Sequence, residues 1–154
     1  MSITAQDIVI YASQNTPTDD SSLTGGDINS NVRVVFTDIT ATGTITAQSS
    51  NAADSGTLTV TGRNQYGSIF SESFSISGTT AVSGSEVFER ILIASVDSSP
   101  VGNIALSQTE AASSIASIYS GETGFRRPFY DATANLAGGA NKTLYEKVFV
   151  KNNS

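Results

Sequence analysis

The chain has 154 residues, of which 14% are charged, a formal net charge of -6, and neither cysteine nor histidine. This length suits one domain with a core of ordinary size, and the missing residue types exclude disulfide frameworks, thiol chemistry, His-containing zinc sites and His-based catalytic triads. The acidic balance argues against nucleic acid as a partner, because binding phosphates requires a clustered excess of Lys and Arg.

Charge is distributed unevenly along the chain. Residues 1–31 contain four aspartates and no basic residue, whereas residues 126–154 contain five basic residues and two acidic ones. Opposite net charges in these two regions favour attraction between copies of the chain or towards a different partner. The first seven residues lack the basic start and apolar centre of a signal peptide, and no apolar run approaches the length of a membrane span. We therefore expect a protein made in the cytoplasm that has no membrane partner and does not use the general secretory route.

The N-terminal region combines a short apolar run with a long polar stretch. Ile8–Tyr11 predicts a first strand or an anchor, while residues 13–31 include Pro17 and Gly25-Gly26 and are poor in apolar side chains. Such a stretch buries too little apolar surface to order itself. We interpret residues 1–31 as an N-terminal strand and an extended arm.

Residues 56–78 predict a β-hairpin. Leucine and valine alternate with threonine before the turn-forming cluster Asn64–Gly67, and phenylalanine and isoleucine alternate with serine after it. This period of two, with many β-branched residues, is typical of half-buried strands. Glu72 falls on the apolar face of the second strand, so we expect it near a strand end or at a sheet edge.

Two of the remaining segments are ambiguous. In residues 86–96 the spacing of Phe88, Leu92 and Val96 suits a helix, but the β-branched content favours a strand covered on both faces. Residues 109–119 suit a short helix or a last strand, and we favour the strand. We also predict strands over 31–38, 43–47, 101–107 and 143–151, a connection or short strand over 79–83, loops over 48–55 and 132–141, and turns over 97–100 and 121–124.

The spacing of these strands predicts the fold class. Strands about ten residues apart, joined by Gly, Ser and Asp turns, are typical of all-β proteins. We predict a β-sandwich, immunoglobulin-like or jelly-roll-like, with its core in residues 32–124, an extended N-terminal arm and a C-terminal strand.

Residues 125–154 form a C-terminal aromatic-basic segment of the same domain. Phe125–Tyr130 contains three aromatics and two arginines, and the strand over 143–151 alternates between an aliphatic face and an aromatic-basic face. Arginine and aromatic residues are enriched in protein–protein hot spots. A protein interface and simple closure of the core are equal interpretations here, with nucleic acid a distant third. The candidate interface residues are Arg126, Arg127, Phe129, Tyr130, Tyr145 and Phe149.

Several short segments resemble those of small β-rich structural proteins of tailed bacteriophages. They are Thr59–Arg63, Gly78–Val82, Phe88–Ile91, Arg126–Asp131 and Tyr145–Asn152. Several proteins in that group look like head decoration, or cement, proteins. The resemblance covers residues 32–152. It implies a virion component on the outer surface of the head whose partners are the major capsid protein and its own copies, as a homotrimer by analogy. It implies no catalytic residue.

Other chemistries are weaker interpretations. Asp27–Asn31 with Asp38 has the oxygen spacing of a calcium loop, but Val32 stands where such a loop needs Gly and Asp38 where it needs Glu. The pairs Glu86/Glu89 and Asp19/Asp20 could serve a glycosidase, but nothing in the sequence places two carboxyls across a cleft and the chain has no Trp, so charges in solvated turns are the better interpretation. We therefore expect no catalytic, metal or cofactor residues. An adhesion or receptor-binding module of a tail or fibre is the alternative function.

Overall fold

The computed structural model describes residues 7–15, 26–109, 113–130 and 145–153. Within these ranges the chain forms eleven strands and no α-helix, so the all-β prediction is confirmed. The strands are β1 (Ile8–Ser13), β2 (Ile28–Val34), β3 (Ile45–Ser49), β4 (Ser55–Arg63), β5 (Ile69–Ser77), β6 (Val82–Ser83), β7 (Arg90–Val96), β8 (Ile104–Gln108), β9 (Ser114–Ile118), β10 (Gly124–Arg126) and β11 (Val148–Asn152).

The strands assemble into two sheets. One has seven strands in the order β11-β1-β2-β10-β7-β4-β5, and the other has four in the order β6-β3-β8-β9. Neighbouring strands are antiparallel except β2 and β10, which pair in parallel. Both outer strands of the seven-stranded sheet, β11 and β5, therefore have one side without a ladder within that sheet.

A single core cluster draws on both sheets. Phe70 stacks on Phe88 with 4.5 Å between ring centroids. Gly62 lies under the Phe88 ring, where a Cβ would collide with that ring and with the Arg90 carbonyl oxygen. Each fully buried aliphatic or aromatic side chain contributes about 1.5–3 kcal/mol to the stability. The buried members of the cluster are Ile45, Ala47, Leu58, Val60, Ile76, Phe88, Ile91, Ala94, Val96, Ile104, Leu106, Ile115, Ile118 and Phe125.

The predicted hairpin is confirmed as β4 and β5. Its turn is closed by Asn64, whose Oδ1 accepts the amides of Tyr66 and Ser68, both at 3.0 Å. Hydroxyls pair across the outer face, for example Thr59 Oγ1 with Ser73 Oγ at 2.8 Å. The expectation for Glu72 is also confirmed, since β5 is an edge strand. Its carboxylate accepts the Ser85 amide and hydroxyl, which holds the following loop against that edge.

Strand positions differ from the prediction in several places. The strand predicted over 86–96 begins only at Arg90, because Phe88 turns into the core and makes an isolated bridge with Gly43. In the strand predicted over 101–107, residues 101–103 are not extended, because the amides of Val101 and Gly102 bind the Asp54 carboxylate. Residues 114–118 form a strand, so the helical alternative is wrong for them.

Two strands extend into regions that were interpreted otherwise. β2 begins at Ile28, so the last residues of the predicted arm pair with the end of β1, through Ala12↔Asn29 and Ser13↔Ile28. β10 occupies residues 124–126, where the sequence predicted the end of a turn and the start of the aromatic-basic segment. Residues 16–25 of the arm and the loop predicted over 132–141 lie outside the described residues.

A buried carboxylate joins two loops at the end of the four-stranded sheet. Asp54 accepts hydrogen bonds from the Ser49 hydroxyl at 2.6 Å, from the Val101 amide at 2.8 Å and from the Gly102 amide at 2.9 Å. The hydroxyl of Ser49, followed by the amide of Val101, lowers the pKa of Asp54 below its ordinary value of 3.8, and burial opposes this shift. The ionised carboxylate therefore stabilises the folded chain.

This pKa shift predicts a pH dependence of stability. A group whose pKa is depressed by folding contributes its stability above its unfolded pKa and loses it as the pH falls through the folded pKa. We expect Asp54→Asn to be less stable than wild type at pH 6, and the difference to shrink as the pH falls below 3.8. Urea unfolding at several pH values, followed by circular dichroism, measures this difference.

The matched control for that experiment is Asp97→Asn, which changes an exposed carboxylate in a nearby turn. We expect it to follow the wild-type curve. A difference between Asp54→Asn and wild type that stays constant from neutral to acidic pH would contradict the role of the ionised Asp54.

Candidate protein-interaction surface

Arg126, the last residue of β10, is buried and bonded within the chain. Its side chain is 6% exposed, and Nη2 lies 3.1 Å from Glu146 Oε1. The same nitrogen donates to the carbonyl oxygens of Ser13 and Asn15, both at 3.2 Å, and the guanidinium lies 5.3 Å from the centroid of the Tyr130 ring. Arg126 therefore joins the end of β1, the segment after β10 and the segment before β11. We call this set of contacts the junction at Arg126.

Glu146 strengthens the same junction. Its side chain is 2% exposed, and its Oε2 accepts the backbone amide of Phe129. Phe129 has a positive φ of 52°, a conformation that is uncommon for a bulky residue other than glycine. Phe129 as a whole is 43% exposed. The backbone at this position is therefore held so that its aromatic side chain lies at the surface.

Arg127 is fixed on the opposite side of the chain from Arg126. Its Nη1 donates to the Thr37 carbonyl oxygen at 2.6 Å and lies 3.2 Å from Asp38 Oδ2. Asp38 also pairs with Arg90 at 3.2 Å and accepts the Ile91 amide at 3.1 Å. One carboxylate thus fixes two guanidinium groups and the start of β7.

These contacts form a small cleft that contains three arginines, which we call the arginine cleft. Its volume is about 80 Å³, and its lining consists of Arg63, Ile69, Arg90, Leu92, Arg127, Pro128, Phe129 and Tyr130. Sequence reasoning missed Arg63 and Arg90, which are directly opposed across β4 and β7. Only the register between these two distant strands brings them together, and no local pattern carries that information.

A second surface lies at the free edge of the seven-stranded sheet. In the β1–β11 pair, Ile10 opposes Val150 and Ala12 opposes Val148, so their side chains share one face with Ile8. Val150 is 67% exposed, Ile8 42% and Val148 40%. We call Ile8, Ile10, Val148 and Val150 the apolar edge patch.

The opposite face of β11 has the predicted aromatic-basic character. Phe149 opposes Tyr11 and is half-buried, and Lys151 Nζ lies 6.0 Å from the centroid of the Tyr11 ring. Tyr145, before the strand, is 41% exposed. The more exposed face of β11 is therefore the aliphatic one.

The six predicted residues thus occupy three environments. Arg126 and Tyr130 meet at the buried junction, Arg127, Phe129 and Tyr130 line the arginine cleft, and Tyr145 and Phe149 lie before and within β11. Phe125 closes the core, with 1% of its surface exposed. Binding of a partner by the six residues stays a prediction.

The buried carboxylates of the described residues are engaged in holding the chain together. Glu122 is 5% exposed, and its Oε1 lies 2.6 Å from Arg33 Nε. Its Oε2 accepts the Tyr119 amide at 3.2 Å. Asp38 and Asp54 bind backbone amides in the same way. Within the described ranges, no three or more His, Cys, Asp or Glu residues form a group suited to a metal ion.

The junction at Arg126 predicts a large effect of removing its charge. Arg126→Met leaves the Glu146 carboxylate buried without its cation, and breaking a buried pair in this way costs about 3–5 kcal/mol. We expect Arg126→Met to lower the free energy of unfolding by that amount, measured by urea titration with tyrosine fluorescence. We expect the double variant Arg126→Met/Glu146→Gln to recover part of the loss.

Arg90→Met is the control, since Arg90 forms an ion pair but its side chain is 47% exposed. Exposed pairs contribute about 0–1 kcal/mol. Equal losses for Arg126→Met and Arg90→Met would show that the buried junction does not stabilise the fold as described.

Comparison with known proteins assigns no family to this chain. No family model, no curated protein and no solved structure matches it. The described part of the chain contains no helix that is long and apolar enough to cross a membrane.

Proposed function

We propose that the protein is a non-enzymatic virion component, a decoration protein of a phage head that is made in the host cytoplasm. It binds the outer surface of the head and stabilises the shell by bridging subunits of the major capsid protein. It also associates with its own copies, as a homotrimer. Its two sheets make a β-sandwich of the immunoglobulin-like or jelly-roll-like type. The phage-like segments named above support this proposal.

The observation that carries the proposal is the apolar edge patch. Apolar side chains line one face of β11, an edge strand whose outer side has no ladder to any other described strand. Contiguous exposed apolar surface marks interaction sites, and an open sheet edge can add a strand from a partner through backbone hydrogen bonds. This combination suits a rigid module that docks on other proteins.

The apolar edge patch lies on strands that do not contribute to the main core cluster. The buried core cluster has no member in β1, β2 or β11. These strands extend the sheet beyond the main core and are held by the junction at Arg126. A partner can therefore cover the patch without rearranging the core.

The mechanism of such a protein is mechanical. Packed DNA presses outward on the shell, and a protein that bridges two subunits loses its contacts before they separate. A ligand that binds only the closed state stabilises it by about 2.7 kcal/mol per site when its concentration is a hundredfold above Kd. Repeated over many sites, even a smaller contribution raises the temperature at which the head opens.

One observation favours the adhesion module as a second candidate. Tyr66, at the tip of the β4–β5 hairpin, is 83% exposed. It lies beside a cleft of about 260 Å³ that Asn64, Gln65 and Glu86 also line. An exposed aromatic ring next to amide and carboxylate groups suits a polar ligand with ring structure.

Heating of phage particles tests the proposed function. We expect particles without the protein to assemble but to release DNA at a lower temperature, measured with a DNA-binding dye. Added wild-type protein restores the normal release temperature, whereas Val150→Ser restores it only in part because the exposed apolar patch is weakened. Val101→Ser is the matched control, since Val101 is equally exposed, at 67%, and lies outside the patch.

Unchanged DNA release together with a loss of host adsorption would reject decoration and support the adhesion module. Equal restoration by Val150→Ser and Val101→Ser would leave decoration standing but show that the apolar edge patch is not the docking surface.

A further inference from the structure

We propose that the arginine cleft binds one carboxylate group, from an acidic side chain of the partner protein. The proposal adds Arg63 and Arg90 to the predicted interface residues and assigns the cleft a ligand chemistry. It rests on the proposed function only for the identity of the partner, a shell protein, because carboxylate binding is a property of the isolated chain.

The first argument is the charge of the cleft. Three guanidinium groups, those of Arg63, Arg90 and Arg127, line it, and the lining residues within the described ranges include no carboxylate. Behind them, Asp38 pairs with Arg90 and Arg127, and Glu89 pairs with Arg63 at 3.3 Å. Among the described residues, these three arginines and their two carboxylate partners leave an excess of one positive charge, in a protein whose net charge is -6.

The second argument is the pairing of two arginines. Arg63 and Arg90 are direct cross-strand neighbours, and like charges in that position destabilise a sheet. Each guanidinium has five N–H donors in a fork that matches a carboxylate. Arg63 uses Nε and Nη2 toward Glu89, and Arg90 uses Nε toward Asp38. A carboxylate between them offsets the repulsion and accepts from the remaining donors.

The third argument is Phe129 at the rim. Its positive φ is a strained conformation for a bulky residue, and such strain is concentrated at binding sites. The bond from its amide to Glu146 holds this conformation and leaves the ring exposed beside the guanidinium groups. An apolar ring at the rim shields a bound ion pair from water, which strengthens it.

The size of the cleft selects one acidic side chain over a polyanion. A cleft of about 80 Å³ holds several water-sized groups, since about 10–15 Å³ of such space is enough for one water. That is room for a carboxylate and part of its stem. The excess of one positive charge matches one carboxylate, whereas a chain of phosphates brings several negative charges to a protein whose net charge is already -6.

The experiment titrates the isotope-labelled full chain with a blocked pentapeptide that has one central glutamate between glycines. Backbone NMR follows the amides, and the same peptide with glutamine is the neutral comparison. We expect saturable shifts at Arg63, Arg90 and Phe129 with the glutamate peptide alone. Losing one charge-assisted contact weakens binding about tenfold, so we expect at least that change for Arg63→Gln/Arg90→Gln. Arg90→Gln alone, at an exposed position, serves if the double variant does not fold.

Lys151→Gln is the matched control for the single variant Arg90→Gln, because it also removes one positive charge, from an exposed residue of β11. It should leave the peptide affinity within about twofold of wild type. Equal shifts with the glutamine peptide, or equal weakening by Lys151→Gln, would overturn the proposal. Tighter binding of a short oligothymidylate at the same amides would replace the carboxylate by phosphate and also overturn it.

Two further measurements test which molecule supplies the carboxylate that the arginine cleft binds. Asp19→Asn/Asp20→Asn, in the acidic N-terminal region, should not change the peptide affinity, and an increase would show that the chain's own carboxylates fill the cleft. On phage heads, Arg63→Gln/Arg90→Gln should lower occupancy while Val101→Ser, outside both proposed surfaces, does not. Peptide binding with unchanged occupancy would reject the shell protein as the source of the carboxylate.

Discussion

The seven-stranded sheet depends on a strand of three residues. β10 pairs in parallel with β2 on one side and antiparallel with β7 on the other. Without it, the sheet separates into β11-β1-β2 and β7-β4-β5. A Cβ at Gly124 would collide with the Ala94 carbonyl oxygen, Phe125 is buried in the core, and Arg126 is buried beside Glu146. Each residue of β10 thus meets a separate steric or electrostatic requirement.

Both candidate surfaces depend on β10. Arg127, Phe129 and Tyr130 follow it directly, so its register places one side of the arginine cleft. Arg126 binds the carbonyl groups that end β1 and thereby fixes the strand next to β11. A buried ion pair is expensive to desolvate and adds little net stability over an apolar pair. The Arg126–Glu146 pair instead fixes the position of the sheet edge and of the segment before β11 relative to β10.

The sequence predicts the parts of the fold in which local pattern and tertiary structure agree. The alternation of residues 56–78 sets the hairpin, and the alternation in residues 148–151 correctly separates the valines from Phe149 and Lys151. In both segments a period of two persists over enough residues to distinguish the two faces of a strand. The position of Glu72 at an edge follows from the same reasoning, because a carboxylate on an apolar face needs access to polar groups.

The parts of the fold and of the candidate surfaces that the sequence does not predict depend on contacts between distant segments. Three residues are too few for a period, so β10 has no local signature, and its parallel partner β2 lies far away in the chain. The arginine cleft could not be predicted without the register between β4 and β7, because that register places Arg63 opposite Arg90. Arg126 and Tyr130 were predicted as interface residues, and that stays a prediction. The burial of Arg126 depends on its contact with Glu146, a residue distant in the chain, and no local pattern carries that information.

We propose that this scaffold decorates a phage head, and the number of copies on a purified particle tests that proposal most directly. Quantitative mass spectrometry of particles, with labelled peptides of this chain and of the major capsid protein, gives that ratio. A decoration protein occupies repeated positions on the head lattice, so we predict a copy number comparable with that of the major capsid protein. A copy number comparable with that of the tail or fibre proteins would contradict the account.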